Sequence, residues 1–359
     1  MRRVRLADLV PGGCLPPALD RATLARAIDG WGFARAGLWA RRAGSPWLTV
    51  LTYHRVADLS GSSELDDGVV DCSPAQLGRQ MAFVKRWFDI VTTEDLRAFA
   101  CERASLPRNP LLVSFDDGYR DNHDVALPIL LREGVRATFF VATDYIERRR
   151  LYWWDRVSLV IRRSRKQQLK LTYPKVEDLP LDGPTEKERA VRRVQRIIKD
   201  DRCLDLVRLL DEVERAADVC LSSDEERGLA DALIMTWDHV AALRAAGMDV
   251  QSHTHTHRVL QTLGPGELDR ELRVSRALLE RVLGAPVRAV SYPVGRSVRT
   301  SPEIVLAVQA AGYELGFSNG TGVNGIRSFD PFDVRRVAMD RSMPDSLFRA
   351  TLAFPWLAH

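Results

Sequence analysis

No run of the sequence approaches the roughly 20 apolar residues of a membrane-crossing helix, so no transmembrane segment is expected. The opening Met1-Arg2-Arg3-Val4-Arg5 is charged like the start of a secretory leader. Asp8, Pro11, Asp20 and Arg21 stand where its apolar stretch would have to be, and no small-residue cleavage site follows. The chain therefore reads as cytoplasmic, with peripheral membrane contact left open. Cysteine is sparse. Cys14, Cys72, Cys101, Cys203 and Cys220 are odd in number and far apart, with no metal-binding or redox spacing, and read as reduced thiols. An excess of one charge is missing too: 52 Lys and Arg against 48 Asp and Glu leave +4. Without a motif for reading bases or phosphates, that balance does not point to a nucleic-acid partner. Repeats and low-complexity tracts are also absent. What remains, 45% hydrophobic and 28% charged over 359 residues, is the composition of a soluble globular protein with room for a large core.

Residues 1–46 read as a helical extension, in which Leu24, Ile28, Trp31, Phe33 and Leu38 recur among polar residues. That stripe is short and broken by glycines, which favours a packing helix over a membrane-surface anchor. From 47 to 342, short β-rich runs alternate with helices. Strands are expected over 47–53, 88–91, 111–115, 136–141, 248–252, 287–292, 313–317 and 335–339. Ser73-Pro74-Ala75-Gln76 opens a helix with an N-cap, an N1 proline and a capping-box glutamine, and Thr93 is expected to cap the next. Further helices are expected over 121–133, from Thr236 to Gly247, over 267–283 and from Ser301 to Gly312. This alternation predicts a parallel sheet, and the number of strands predicts its closure into a barrel. The rhythm breaks over 147–235, where a basic run at 162–166, a loop-like stretch at 176–184 and charged helical sequence at 186–232 read as a helical insertion. Residues 343–359 are left as a C-terminal tail.

Three constellations fall at the carboxyl ends of expected strands, the face on which barrel active sites are built. Ser114-Phe115-Asp116-Asp117-Gly118 sets two carboxylates side by side after an apolar strand. Like charges raise one another's pKa, and a cation removes that cost: one carboxylate ligates it and its neighbour stays free as a base. An Asp-Asp-Gly turn with Asp121 capping a helix is the competing reading. His253-Thr254-His255-Thr256-His257 holds three of the seven histidines. A bend from strand into a helical turn would place His253 and His257 on one face as ligands and turn His255 away. His359, the last histidine, reads as a frayed terminus. In Ser291-Tyr292-Pro293-Val294-Gly295, proline fixes a turn and glycine permits close approach, so a backbone N–H here can face a ligand; alone, it reads as an ordinary turn. One aspartate with two histidines would leave an ion open positions for water and a substrate oxygen, a set suited to Zn²⁺ and to other divalent first-row ions.

In combination, Phe115-Asp116-Asp117-Gly118, Ala137-Thr138-Phe139-Phe140-Val141 and Ser252-His253-Thr254-His255-Thr256-His257 resemble the successive motifs of the polysaccharide deacetylases of the NodB-homology fold. The likeness runs over roughly 48–339, interrupted by the insertion. It implies an α/β fold, a distorted (β/α)7 TIM-like barrel. The implied activity is a metal-dependent hydrolase that removes N-acetyl groups from an N-acetylated sugar in a poly- or oligosaccharide. Carried over by position, it implies Asp116 as the base and Asp117, His253 and His257 as ligands of a divalent ion, Zn²⁺ first, with Co²⁺ or Ni²⁺ as alternatives. A backbone N–H near Val294, in the Tyr292-Pro293-Val294 turn, is implied for the oxyanion. Leu51-Thr52-Tyr53-His54-Arg55-Val56 resembles the segment of the exopolysaccharide-modifying branch whose histidine is the catalytic acid, which points to His54. The sequence departs from the family in the third motif, where Ser291 and Val294 replace the arginine and tyrosine of many members. Arg336, in Val334-Arg335-Arg336-Val337, resembles a later arginine and is expected to steady the base instead.

The insertion opens with Leu151-Tyr152-Trp153-Trp154-Asp155, where the chain leaves the barrel on the catalytic face. Trp153 and Trp154 either pack the inserted helices or form a platform for sugar rings, and the basic run at 162–166 would suit an anionic acceptor. Two other classes are weighed. A catalytically inactive glycan-binding relative would lack the base, a ligand or the acid. A zinc amidohydrolase would place its His-x-His after an early strand, with further histidines downstream.

Overall fold

The computed structural model describes residues 26, 29, 30, 32–58 and 64–355. Leu24, Ile28, Trp31, Cys14 and His359 lie outside the described residues. Seven strands make a ring: β1 (Trp47–Tyr53), β2 (Pro110–Phe115), β3 (Thr138–Val141), β4 (Asp249–Ser252), β5 (Ala289–Ser291), β6 (Leu315–Thr321) and β7 (Val334–Ala338). Every neighbouring pair is parallel, and β1 joins both β2 and β7, so the sheet closes on itself with the strands in chain order. Closure is uneven. β4 and β5 share the pair Ser252 with Val290, and the register slips between β6 and β7. The distorted (β/α)7 barrel expected from the sequence is what forms. The short strand expected near 88–91 reduces to Asp89–Ile90 and stays beside β2, outside the ring.

These strands read as apolar runs because helices cover their outer face while side chains fill the lumen; all six residues of β2 are buried. Alternate residues nevertheless have different fates. Leu48, Val50, Leu112, Phe140, Ala289, Leu315, Phe317 and Val334 form one cluster, the filling of the lumen. Leu51, Tyr53, Leu111, Val113 and Phe115 belong to the larger core under the helices. Counting on by twos, Val50 leads to Thr52, Leu112 to Ser114 and Asp116, Ala289 to Ser291, and Val334 to Arg336. Period-two geometry thus makes the lumen apolar below and polar at the carboxyl mouth.

Local chemistry sets most helix ends as expected, with one shift. The helix Thr93–Glu102 is capped by Thr92, not Thr93: Thr92 accepts from the Asp95 N–H, and Asp95 accepts from the Thr92 N–H. The segment expected as one helix over 121–133 begins with a wider π-helical turn, Asn122–Ala126, before Leu127–Glu133. Between β3 and β4 lie the helices Thr143–Arg148, Trp153–Arg163, Pro184–Asp200, Leu206–Ala217 and Ser223–Leu233. One stretch departs from the sequence reading. Glu177–Pro180, within the expected loop, pairs antiparallel with Gln168–Leu171 as a hairpin. Much of the basic run is paired: Arg162 with Glu188, Arg163 with Glu64 and Glu225, and Lys166 with Asp218.

Helix Phe33–Ala43, from the N-terminal extension, docks through a buried arginine. Arg41 donates to Thr49 Oγ1 at 2.9 Å, to Asn109 Oδ1 at 3.2 Å and to the Leu352 carbonyl. The expected tail carries helix Asp345–Ala353, whose Phe348 and Leu352 are buried, so Arg41 ties both ends of the chain to β1. Its removal leaves buried acceptors unmatched. Arg41→Ala is expected to lower unfolding stability by about 2–4 kcal/mol, measured by chemical denaturation.

Candidate metal and catalytic site

Asp117 follows β2 with φ 75°, a left-handed conformation that turns its carboxylate off the strand line, while Asp116 continues the lumen row. His253 leaves β4, its N–H held by the Val141 carbonyl at 2.9 Å. The expected helical turn after it does not form. Residues 253–259 are irregular, and Thr254 (φ 64°) and His257 (φ 54°) bend the chain so that both imidazoles meet Asp117. Glu271, on helix Pro265–Leu283, holds this loop by accepting from the N–H groups of His255 and Thr256 at 2.9 and 2.7 Å, and from the Thr256 hydroxyl. Of the eight described non-glycine residues with positive φ, Asp117, Thr254, His257 and Val294 sit at this site, which marks where backbone strain is concentrated.

Asp117 Oδ1 lies 3.3 Å from His253 Nε2 and 3.2 Å from His257 Nε2, all three side chains buried. His253 Nδ1 faces the Ser291 carbonyl at 2.8 Å, and a carbonyl only accepts, so Nδ1 carries the hydrogen and neutral His253 turns a bare lone pair towards Asp117. Burial holds the His257 pKa below its ordinary value and favours the neutral ring. Burial alone would raise the Asp117 pKa. Protons on the facing ring nitrogens of His253 and His257 would outweigh it and hold the carboxyl well below the usual range, and a cation in their place would act in the same direction. Asp117 Oδ1 has no hydrogen-bond partner of its own. Lone pairs on one carboxylate and two imidazoles, within 4.8 Å of one another, fit a divalent cation. His255 is turned away, with Nδ1 2.9 Å from Thr143 Oγ1 and Nε2 3.4 Å from Asp144, and it lines a separate cavity of about 470 Å³.

Asp116 is held by Arg336 through two hydrogen bonds of 2.8 Å and by Ser291 Oγ at 3.2 Å. Burial would raise its pKa; the charge of Arg336 and its hydrogen bonds keep it lowered. Arg336 is itself buried and reaches Thr52 Oγ1 at 3.0 Å and the Ser318 carbonyl at 3.2 Å. The expected arginine is therefore in place. Ser291, where many relatives of the motif pattern carry the arginine, contacts both Asp116 and His253 instead.

His54 lines the same cavity, and its Nδ1 lies 2.9 Å from Asp71, which also accepts the His54 backbone N–H. Burial disfavours the imidazolium. The Asp71 charge and hydrogen bond, then the charges of Asp117 and Asp116, overcome that and raise the His54 pKa to about 10. The cavity, about 200 Å³, is walled by Trp153, Trp154, Val69, Lys199, Val294 and Asn319. Trp153 and Trp154 thus pack in the core of the inserted helices, as one of the two readings had them, and also line the cavity. Trp153 Nε1 donates to the His257 carbonyl at 3.3 Å, and Trp154 Nε1 to Tyr119 Oη at 2.7 Å. Tyr292 and Pro293 do not line it: the Tyr292 ring is buried, with its hydroxyl on the Phe332 carbonyl at 2.8 Å. Gly295 (φ 68°) has to be glycine, since a Cβ would stand 2.3 Å from that of Asn319.

The sequence model described as polysaccharide deacetylase matches residues 103–177 and 204–316, more than half of the chain. The chain belongs to the polysaccharide deacetylase family. Its similarity to the protein YxkH of Bacillus subtilis (strain 168) is 27% identity over 116 residues, 32% of this chain and 40% of YxkH, so the match spans less than half of that curated relative. Among solved structures, the Streptococcus pyogenes deacetylase PplD in complex with acetate superposes with a TM-score of 0.55 at 16% identity, covering 85% of this chain and 97% of that one. IcaB from Ammonifex degensii gives 0.52 at 18% identity, over 87% and 97%. At such identity these likenesses establish the fold. The family resemblance drawn from the sequence is confirmed, and two of the motifs that carried it, those at 115–118 and 252–257, meet at one cavity.

Asp71, Glu271, Lys199 and Asn319 escaped sequence reasoning. Asp71 left one signal, a lone carboxylate within the apolar Val69-Val70-Asp71-Cys72. The other three stand in surroundings that mark nothing. If Asp117, His253 and His257 hold the ion, alanine at any of them strips it while His255→Ala keeps it. Elemental analysis of the four purified variants decides, and equal metal loss in His255→Ala would overturn the assignment.

Proposed function

We propose that this polysaccharide deacetylase is a metal-dependent N-deacetylase, hydrolysing the N-acetyl group of an N-acetylated sugar in a poly- or oligosaccharide and releasing acetate. The observation that carries the reading is the pairing of an unpartnered Asp117–His253–His257 cluster with a separate carboxylate, Asp116, kept ionised beside it by Arg336. Asp117, His253 and His257 would hold a divalent ion, Zn²⁺ in preference to Co²⁺ or Ni²⁺. When bound, such an ion polarises the acetyl carbonyl and lowers the pKa of a nearby water.

The remaining chemistry belongs to the chain. Asp116 takes a proton from the attacking water, and Arg336 and Ser291 keep its oxygens aimed. Oxygen adds to the acetyl carbon as the carbonyl oxygen gains charge. Pro293 has no N–H, and those of Tyr292 and Gly295 are engaged by the carbonyls of Phe317 and Tyr292, which makes the Val294 N–H the candidate donor to that oxyanion. His54 anchors Nδ1 on Asp71 and so has Nε2 for delivering a proton to the departing nitrogen. The C–N bond breaks, giving acetate and an amino sugar. An inactive glycan-binding relative would lack a member of this set, and none is missing.

Acetate release from a panel of N-acetylated oligosaccharides, with and without added metal, tests the reading; no release from any member, with metal loaded, would refute it. Asp116→Asn is expected to keep its metal and lose activity by roughly 10²–10⁴-fold, because an amide accepts no proton. A general acid works only while protonated, so its activity is present below its pKa and lost as pH rises through it. Asp71→Asn removes the charge that raises the His54 pKa. The alkaline limb of the pH–rate profile should therefore move to lower pH, with metal content retained; an unmoved limb assigns the acid elsewhere.

A further inference from the structure

Lys199 is the one lysine or arginine among the described residues that line the catalytic cavity. It sits in the last turn of helix Pro184–Asp200, which comes from between β3 and β4. Two contacts fix that turn over the barrel mouth. Gln195, four residues earlier and so on the same face, donates from Nε2 to Asp66 Oδ2 at 2.7 Å. Asp200 pairs with Arg296, just beyond the Pro293–Gly295 turn. The helix end is thereby held from both sides of the cavity.

Lys199 lays its ammonium 5.9 Å from the centroid of the Trp153 ring. Among the described residues no carboxylate forms an ion pair with it, although the charges of Asp66 and Asp200 lie near enough to act on it. Asp116 is engaged by Arg336, His54 by Asp71, and the two oxygens of Asp66 accept from the Gly68 N–H and from Gln195. Burial lowers the Lys199 pKa, and the nearby charges of Asp66 and Asp200 offset that only in part. A half-buried cation of this kind gains most from a ligand that brings its own negative charge. In the basic run at 162–166, expected from the sequence to do this, Arg162, Arg163 and Lys166 are paired with Glu188, Glu64, Glu225 and Asp218, and none of the run lines this cavity.

We propose that Lys199 recognises an anionic group on the glycan, so that the preferred acceptor carries a carboxylate or a phosphate on, or next to, the N-acetylated sugar. This rests on the deacetylase reading for the placement of a glycan in the cavity, while Lys199 adds the class of glycan. Trp153 faces the ammonium and the helix end places it, so the selectivity belongs to the inserted helices and not to the barrel. The catalytic groups would be indifferent to it.

Calorimetric titration of the metal-loaded protein with three N-acetylglucosamine ligands tests the idea: a neutral disaccharide, a uronate-containing disaccharide and a 6-phosphorylated sugar. Wild type should bind a charged ligand roughly 10-fold more tightly than the neutral one, a preference that weakens with added salt. Lys199→Met and Lys199→Gln should abolish the preference and Lys199→Arg should retain it; preference for the uronate or for the phosphate names the anion. Equal affinity for all three ligands, or a preference that survives both neutral variants, overturns the proposal. Acetate is assayed in the same samples. Charge-selective, Lys199-dependent binding with no acetate from any ligand would sink the deacetylase reading and leave the anion site standing. Acetate release without charge preference would do the reverse.

Discussion

Asp116 stays ionised inside a closed barrel because Arg336 meets it with two parallel hydrogen bonds, and most of the site depends on that contact. A carboxylate without this partner would take up a proton in so dry a place and could not serve as a base. With it, Asp116 and Asp117 are neighbours in sequence and opposites in role: one is neutralised by a fixed guanidinium, the other faces imidazole lone pairs. The arginine in turn leans on Thr52 and the Ser318 carbonyl, so strands on both sides of β7 aim the Asp116 carboxylate.

The inserted helices complete what the barrel leaves open. Trp153 and Trp154 stand at the first turn of helix Trp153–Arg163, close the side of the cavity and brace the ligand loop, the one through the His257 carbonyl and the other with its ring 4.5 Å from the His257 ring. Packing and lining are the same contact seen from two sides. Substitution of either tryptophan would disturb the loop's geometry together with the cavity's shape.

Much of this was legible in the sequence, and the limits have physical causes. The strands were visible as apolar runs because both faces are covered, and the catalytic groups were visible because they follow those runs directly. The family motifs then pointed to Asp116, Asp117, His253 and His257, which the fold brings together. The path of the histidine loop was misjudged. Spacing by four suggests a helical turn, whereas left-handed residues and Glu271, fourteen positions beyond His257, shape it; such a long-range template has no local signature. Tyr292 was placed at the site by adjacency alone, yet the pleat sends its ring into the core. The 177–180 strand looked like a loop because two adjacent charges, Glu177 and Asp178, and a proline leave it a single apolar residue, Leu179, on a hairpin that is largely open to solvent. Asp71 was missed because a single buried carboxylate declares itself only once its partner, His54, is seen beside it.

Arg336 lies on β7, the strand whose pairing with β1 closes the ring. Closing the sheet and neutralising the charge in its lumen are therefore one event. A chain that ended before β7 would lack both the last wall of the barrel and the counter-ion that lets Asp116 be buried as a carboxylate. An ionised Asp116 in this architecture cannot precede completion of the fold, because the strand that closes the ring also delivers the charge that balances its lumen.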